Sequence, residues 1–489
     1  MKNQIKTLGQ LKNSGYQYKS VHQELRSNLK ERIRSGGKVF QGIIGYDETV
    51  LPDLERAILA GHSINFLGLR GQAKTKMARL LVQLFDDYIP KVKGSPLNED
   101  PLMPLTSKTK EMILEFGDDT PISWIHKSER YSEKLATPDV NIADLIGDID
   151  PIKAANLKLS LSDEEAIYYG IIPRSNRGIF VINELPDLQP RIQVALFNLL
   201  QERDIQIRGF KLNIPIDIQF VFTSNPEDYT NRGSIITPLK DRIQSQIFTH
   251  YPLTNKIGRE ITKQEVRIHE GQENMLVPEV VEMLIEQIAI EARDNDFVDS
   301  KSGVSARLPI SAYENVVSAV ERRCIRNGDA SGVARISDLS AVIPAIIGKI
   351  EMVYEGEQEG ATNVAHRLIG QAIRSIAPHY FSGIDMLNQR NTPPESLKKY
   401  ESITKWFQKS QKLDLLNDMS QNDFESELNK VSGLRENIEA LNLDDENIAI
   451  MMEFLLTSLA EYSLLEKKRL ENSISFQDYF SSVVGGINS

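Results

Sequence analysis

One eight-residue stretch constrains this chain more than any other: Gly68-Leu-Arg-Gly71-Gln72-Ala73-Lys74-Thr75. It follows the apolar run Ile64-Asn-Phe-Leu. It opens a stretch, Thr75 to Tyr88, with apolar residues at Met77, Leu80, Leu81, Leu84 and Phe85. A strand, a glycine turn and a helix in that order can cradle a phosphate. Glycines let successive backbone N–H groups face the anion, and the helix N-terminus adds positive potential. Lys74 would reach the β- and γ-phosphates, and Thr75 would ligate Mg²⁺. Ala73 stands where the pattern G-x-x-x-x-G-K-[ST] has its second glycine. If that position needs positive φ, alanine costs about 1 kcal/mol. The plainer alternative is an ordinary strand-to-helix turn with an exposed lysine.

Arg177-Gly-Ile-Phe-Val-Ile-Asn183-Glu184-Leu is an apolar strand ending in a polar pair. Glu184 is suited to polarise an attacking water. Asn183 stands where a metal-holding aspartate is expected. Its amide oxygen can accept from a metal-bound water but offers no charge. Thr223-Ser-Asn225-Pro ends the next strand, where the Asn225 carboxamide could orient that water. Thr237-Pro-Leu-Lys-Asp241-Arg242 places an arginine where it could reach a neighbouring subunit's γ-phosphate. A lone Asp-Arg is otherwise a surface ion pair of at most ~1 kcal/mol. Arg307, opening a later helix, is a second candidate phosphate-sensing arginine.

Residues 40–250 alternate strand-like runs (64–68, 178–182, 218–223) with helical stretches such as 192–200. This predicts a parallel sheet with helices on its faces. Beyond about 255 helical patterns dominate, at 278–292, 310–325, 337–354 and 362–376. Tyr354–Gly360 reads as a helix end or loop, and 388–394, with two prolines, as a linker. The tail at 398–480 reads as helical. The expected domains are a basic helical lead (1–38), a core (39–255), a helical lid (256–385) and a C-terminal extension (386–489).

The 489 residues carry one cysteine, Cys324, no apolar run long enough to span a membrane and no apolar leader. We therefore expect a soluble, cytoplasmic protein without an internal disulfide. The seven histidines show no metal-motif spacing. The net charge of −11 disfavours general nucleic-acid binding. That charge is an average. Residues 1–38 hold nine Lys/Arg and two acids, a balance of +7, and the remainder carries −18. The lead could meet nucleic acid or an acidic partner, but Val21, Leu25, Leu29 and Ile33 also describe a helix with one apolar stripe and a solvated basic face.

Together these motifs resemble AAA+ ATPases, and within them the branch of magnesium chelatase ATPase subunits and MoxR-type ATPases, over about residues 35–350. Phe40-Gln-Gly-Ile-Ile44-Gly45-Tyr46 looks like that branch's adenine-side segment. Residues 136–154 look like its segment before the acidic strand, and Gln206–Asn213 like its extra hairpin. Asp241-Arg242 matches the finger pair, and Arg307 the lid arginine. The resemblance implies an α/β fold: a P-loop AAA+ core with parallel sheet and helices on both faces, followed by an all-helical lid and a helical C-terminal extension. It implies ATP and Mg²⁺ as ligands and a homo-oligomeric ring, hexameric in such families. It also implies a partner protein with an integrin-like metal-dependent adhesion domain. The expected function is ATP hydrolysis at subunit interfaces coupled to remodelling of a partner. Two alternatives stay open. One is a nucleotide-gated scaffold with little turnover, suggested by Ala73 and Asn183. The other is a DNA-acting regulator of the bacterial enhancer-binding kind, whose Gly-Ala-Phe-Thr-Gly-Ala loop does not occur here.

Overall fold

Three apolar runs with no polar alternation become the interior strands of a parallel sheet, as burial on both faces requires. The computed structural model describes residues 5–158, 160, 163–207, 213–226, 234–387, 398–409, 411–441, 445–470 and 473–478. The chain forms two compact units, 1–250 and 251–489. The sheet of the first unit comprises β1 (Ile64–Leu67), β2 (Tyr131–Leu135), β3 (Gly178–Asn183), β4 (Ile218–Ser224) and β5 (Ser245–Phe248). Their order is β5-β1-β4-β3-β2, with every pairing parallel. All of β1 and β4 is buried.

Helices cover both faces. On one lie α1 (Val21–Arg34), α2 (Val50–Ala60) and α3 (Lys74–Leu80), packed on Ile64, Phe66, Ile179, Val181 and Val221. On the other lie α4 (Pro190–Gln201) and α5 (Thr237–Arg242), packed on Phe180, Ile182, Phe220 and Phe222. The helix expected over 75–88 is shorter. It ends at Leu80 and tightens into a 3₁₀ turn, Leu81–Leu84, that buries Leu81 and Leu84. Tyr88–Val92 then pairs antiparallel with Ile122–His126. Pro90 lies within that run, and a proline interrupts a helix.

The basic lead is part of the first unit. Ser20 and Gln23 form a capping box at the start of α1. Val21, Leu25 and Leu29 bury against the sheet, while Ile33 stays 44% exposed. On the same helix the Glu24 carboxylate meets the Arg130 guanidinium in a buried two-pronged pair at 2.6 and 2.8 Å. Arg130 also donates to Arg177 O at 2.7 Å and lies 3.7 Å from the centre of the Phe85 ring. Glu24 accepts from Asp86 N at 2.8 Å. Tyr18 and Val21 N both donate to Asp217. The apolar stripe therefore decides the placement; Lys30 and Arg34 stay exposed, while Arg32 donates to Val39 O and Gln83 O.

In the second unit α6 (Glu279–Arg293), α7 (Arg307–Asn327), α8 (Ala361–Tyr380) and α9 (Asp445–Glu461) share one apolar core. The helical reading is refined in several places. Residues 337–354 are not one helix: a 3₁₀ stretch, Ile336–Val342, passes to a short helix, Ile343–Ile347, at Pro344. Tyr354–Glu359 is a turn and a half of helix rather than a loop. Met275–Leu276 pairs with Gly332–Val333 inside the expected all-helical lid. The tail carries a three-stranded antiparallel sheet of Leu413–Leu416, Ser473–Asp478 and Leu465–Leu470. There Leu413 and Leu415 point inward while Asp414 and Leu416 point out, the two-residue period of a strand. The linker expected at 388–394 lies outside the described residues. Among the described residues no helix is long and apolar enough to cross a membrane.

Removing one member of a buried ion pair strands the other. Glu24→Gln is expected to cost about 3 kcal/mol or more in urea unfolding of the full chain. A second expectation concerns pH. Burial, and then the Arg203 charge, pushes the His22 imidazole down from 6.5 to about 4. Between those values the unfolded chain takes up a proton that the folded chain refuses. Stability therefore falls as pH drops through this window, by up to about 3 kcal/mol. His22→Gln should flatten the acid limb of unfolding free energy against pH.

Candidate nucleotide site

The turn after β1 is built from backbone conformations that favour glycine. Gly71 has φ 73°, and Ala73, directly before α3, has φ 56° and ψ 16°. The alanine therefore sits in the left-handed region, at the cost foreseen from the motif, and its methyl packs against the apolar cluster under α3. Gly68 has no room for a side chain, since a Cβ there would collide with Thr249 Oγ1 and Gln72 Oε1. Those two atoms bond each other at 2.7 Å. Lys74, 8% exposed, opens α3, and its Nζ donates to Gly68 O and, at 3.0 Å, to Leu69 O. Its ammonium thus lies within the loop that would wrap a phosphate.

Residues 43–46 join the same turn. Gly45 has φ 80°. Tyr46 Oη lies 2.7 Å from His250 O and 3.1 Å from Gln72 O. The Tyr46 and His250 rings meet edge-on at 4.9 Å. This places Ile44 and Gly45, named from the sequence as adenine-side residues, in a segment anchored to the phosphate loop.

The ends of β3 and β4 complete the cluster. Asn183 Oδ1 accepts from Thr75 Oγ1 at 3.3 Å and from Thr223 Oγ1 at 3.2 Å. One amide oxygen thus joins the loop helix, β3 and β4. Glu184 has φ 56° and ψ 50°, a strained backbone for a side chain of its size. Its N–H donates to Thr223 Oγ1 at 3.1 Å. Asn225 is 7% exposed, and its Oδ1 has no hydrogen-bond partner among the described residues. A buried acceptor without a donor at a strand end is what a positioned water would satisfy. Beside Asn183, on β2, the Glu133 carboxylate receives Tyr131 Oη at 2.6 Å and the Arg79 guanidinium. The Arg79 hydrogen bond holds its carboxyl below the usual range, with Tyr131 and Asn183 adding to the effect.

Thr223, Glu133 and Thr249 were not foreseen as site residues, whereas Tyr46 ends the segment read as adenine-side. Thr223 lies two residues before Asn225 on one strand, which was the available signal. Glu133 and Thr249 come from elements distant in sequence and carry no motif. Arg242 ends α5, donating to Gln201 Oε1 at 3.1 Å and Pro238 O at 2.8 Å, with its guanidinium 4.8 Å from the Phe197 ring. It pairs with no carboxylate among the described residues, so the surface ion-pair reading of Asp241-Arg242 is not what the structure shows. Arg307 opens α7 in the second unit and is exposed, as expected of a helix-start arginine. The arms of the expected hairpin, Asp204–Gln206 and Asn213–Pro215, pair antiparallel. Residues 208–212, between them, lie outside the described residues.

The donor set fits Mg²⁺ in one specific way. Thr75 Oγ1 and Asn183 Oδ1 are hard oxygen donors. Among the described residues no cluster of three His, Cys, Asp or Glu could hold a metal alone. Few protein ligands completed by substrate phosphates is the usual magnesium arrangement.

Residues 161–246 match the family model described as the Sigma-54 interaction domain, an AAA+ domain. The match spans β3, Asn183, Glu184, Asn225 and Arg242. It agrees with the resemblance to AAA+ ATPases read from the motifs. Comparison with curated proteins finds no match. Among solved structures, a candidate ATPase of Cytophaga hutchinsonii is similar at 16% identity over 73% of this chain and 97% of that one, TM-score 0.30. NtrX of Brucella abortus in complex with ADP is similar at 12% identity over 73% and 67%, TM-score 0.39. A complex between subunits BchI and BchD of magnesium chelatase is similar at 18% identity over 65% and 98%, TM-score 0.34.

Because Ala73 occupies the left-handed region, Ala73→Gly is expected to raise the unfolding free energy by about 1 kcal/mol. Thermal unfolding with and without ATP checks it, and the same substitution should tighten nucleotide binding.

Proposed function

We propose that this chain is an AAA+ ATPase that binds ATP with Mg²⁺ at the loop 68–75. It would hydrolyse ATP between neighbouring copies in a ring and use the cycle to remodel a partner protein. The observation that carries the reading is the meeting at Asn183 of the loop helix and the two strand ends bearing Glu184 and Asn225.

In this reading the loop N–H groups and Lys74 hold the phosphates. Glu184 accepts a proton from water as the water oxygen attacks the γ-phosphorus and ADP departs. The Asn225 oxygen, unpaired among the described residues, orients that water. Thr75 and Asn183 would hold Mg²⁺, which when bound neutralises phosphate charge. Arg242, free of any carboxylate partner among the described residues, would extend to a neighbouring copy's γ-phosphate and stabilise the charge that develops there. Arg307 would sense phosphate, on its own or on a neighbouring copy's nucleotide. The ring, hexameric by resemblance, would act in the cytoplasm. It would engage a protein with an integrin-like metal-dependent adhesion domain, as the chelatase resemblance implies.

The family match supports a second reading, a sigma-54-type regulator. The matched residues are those of the hydrolytic half of the site, and the Gly-Ala-Phe-Thr-Gly-Ala loop of such regulators does not occur. A third reading, a scaffold that binds ATP and turns over little, rests on Ala73 and Asn183.

Steady-state phosphate release separates motor from scaffold. Glu184→Gln and Lys74→Ala are each expected to lower turnover about 100-fold or more. Wild-type release no faster than that of Lys74→Ala would remove the motor reading and leave the scaffold.

A further inference from the structure

The tail sheet carries two cations on the face where it buries its apolar residues. Along Leu465–Leu470 the period of two puts Leu465, Lys467 and Arg469 on one face. Lys467 stands opposite the buried Phe476. Arg469 stands opposite Ile474, whose other neighbour is the buried Leu415. Both cations therefore project from the side of the sheet that joins the apolar core of the second unit.

Beside them is a cavity of about 210 Å³. Ile369 and Ile373 of α8 and Ile474 of the sheet form apolar wall, and Lys467, Arg469 and His366 line it as well. Among the described residues no Asp or Glu lines it. The two cations are not equivalent. Lys467 Nζ pairs with Glu461 Oε1 at 2.5 Å, so its charge is met. Arg469 has no carboxylate partner among the described residues, and its Nη1 meets His366 Nδ1. A guanidinium only donates, so Nδ1 accepts and the His366 proton sits on Nε2. The Arg469 charge stays uncancelled, with further N–H donors, beside an isoleucine wall. A cavity of about 150 Å³ holds benzene, and on that scale this one has room for about eight non-hydrogen atoms.

We infer that this cavity is a binding site for a small amphiphilic carboxylate, its charged end on the Arg469 guanidinium and its hydrocarbon against Ile369, Ile373 and Ile474. A planar fork suits a carboxylate, and the isoleucines suit the apolar remainder. The site lies wholly in the second unit and does not rest on the ATP-site reading. The competing role for Arg469 is protective. Leu465–Leu470 is an edge strand, and inward-pointing charges keep such edges from pairing with other chains. That role accounts for the charge but not for the acid-free cavity beside it.

Isothermal titration of the full chain with hexanoate, hexanol and acetate separates the two. Hexanoate should bind at about 1 mM or tighter. Hexanol and acetate each lack one half of the recognition and should bind at least about tenfold more weakly. Arg469 is exposed, so Arg469→Gln should fold, and it should lower hexanoate affinity about tenfold or more. Arg469→Lys, which keeps the charge and loses the fork, should fall between. Lys468→Gln removes one charge from the opposite face and should leave the affinity unchanged. With methyl-labelled isoleucines, hexanoate should shift the Ile369, Ile373 and Ile474 resonances. Failure of hexanoate to bind, equal binding of hexanol, wild-type affinity in Arg469→Gln, or methyl shifts confined to other isoleucines each overturns the inference. Self-association of Arg469→Gln, with no hexanoate binding by the wild-type chain, assigns the protective role instead.

Discussion

Everything in the first unit depends on the parallel pairing of β1 with β4 and of β4 with β3. Parallel strands all end on the same side of the sheet, about 4.8 Å apart. The residues that follow those ends therefore become neighbours whatever their distance in sequence: Gly68 after β1, Glu184 after β3 and Asn225 after β4. An antiparallel arrangement would scatter them to opposite edges. The Asn183 oxygen, shared between Thr75 and Thr223, is the local contact that turns this topology into a single polar cluster.

What could be read in the sequence was what is local. The loop 68–75 declares itself because its glycines, lysine and hydroxyl are contiguous. The pair Asn183-Glu184 stands out because it breaks an apolar strand. The three interior strands were legible because burial on both faces makes them mostly apolar runs, with single buried polar residues such as Asn65 and Gln219. Glu133 was not legible, because its partner Arg79 lies 54 residues away in sequence and only the fold brings the two together. The break at Leu80 was hidden because Leu81, Leu84 and Phe85 continue the helical spacing while serving a 3₁₀ turn. The tail sheet was hidden because four residues, Leu413 to Leu416, are too few to display an alternation against the helices around them.

Electrostatics divides the first unit in two. The net charge of the lead drew attention to its basic residues, yet the decisive charge in the lead is the acid Glu24, buried against Arg130. Counting charges along the chain misses such pairs, which are few and dry, and overweights exposed lysines, which solvent screens.

The strand order has a consequence for the order of events during synthesis. β1 emerges early, yet its two neighbours, β4 and β5, begin only at residues 218 and 245, the nearer of them 154 residues after Ile64. Until both have left the ribosome, an apolar strand and a glycine-rich turn wait without their hydrogen-bonding partners. Such non-local closure is slow and exposes sticky surface. A chain interrupted before about residue 250 would contain the whole phosphate-loop sequence and still lack the loop.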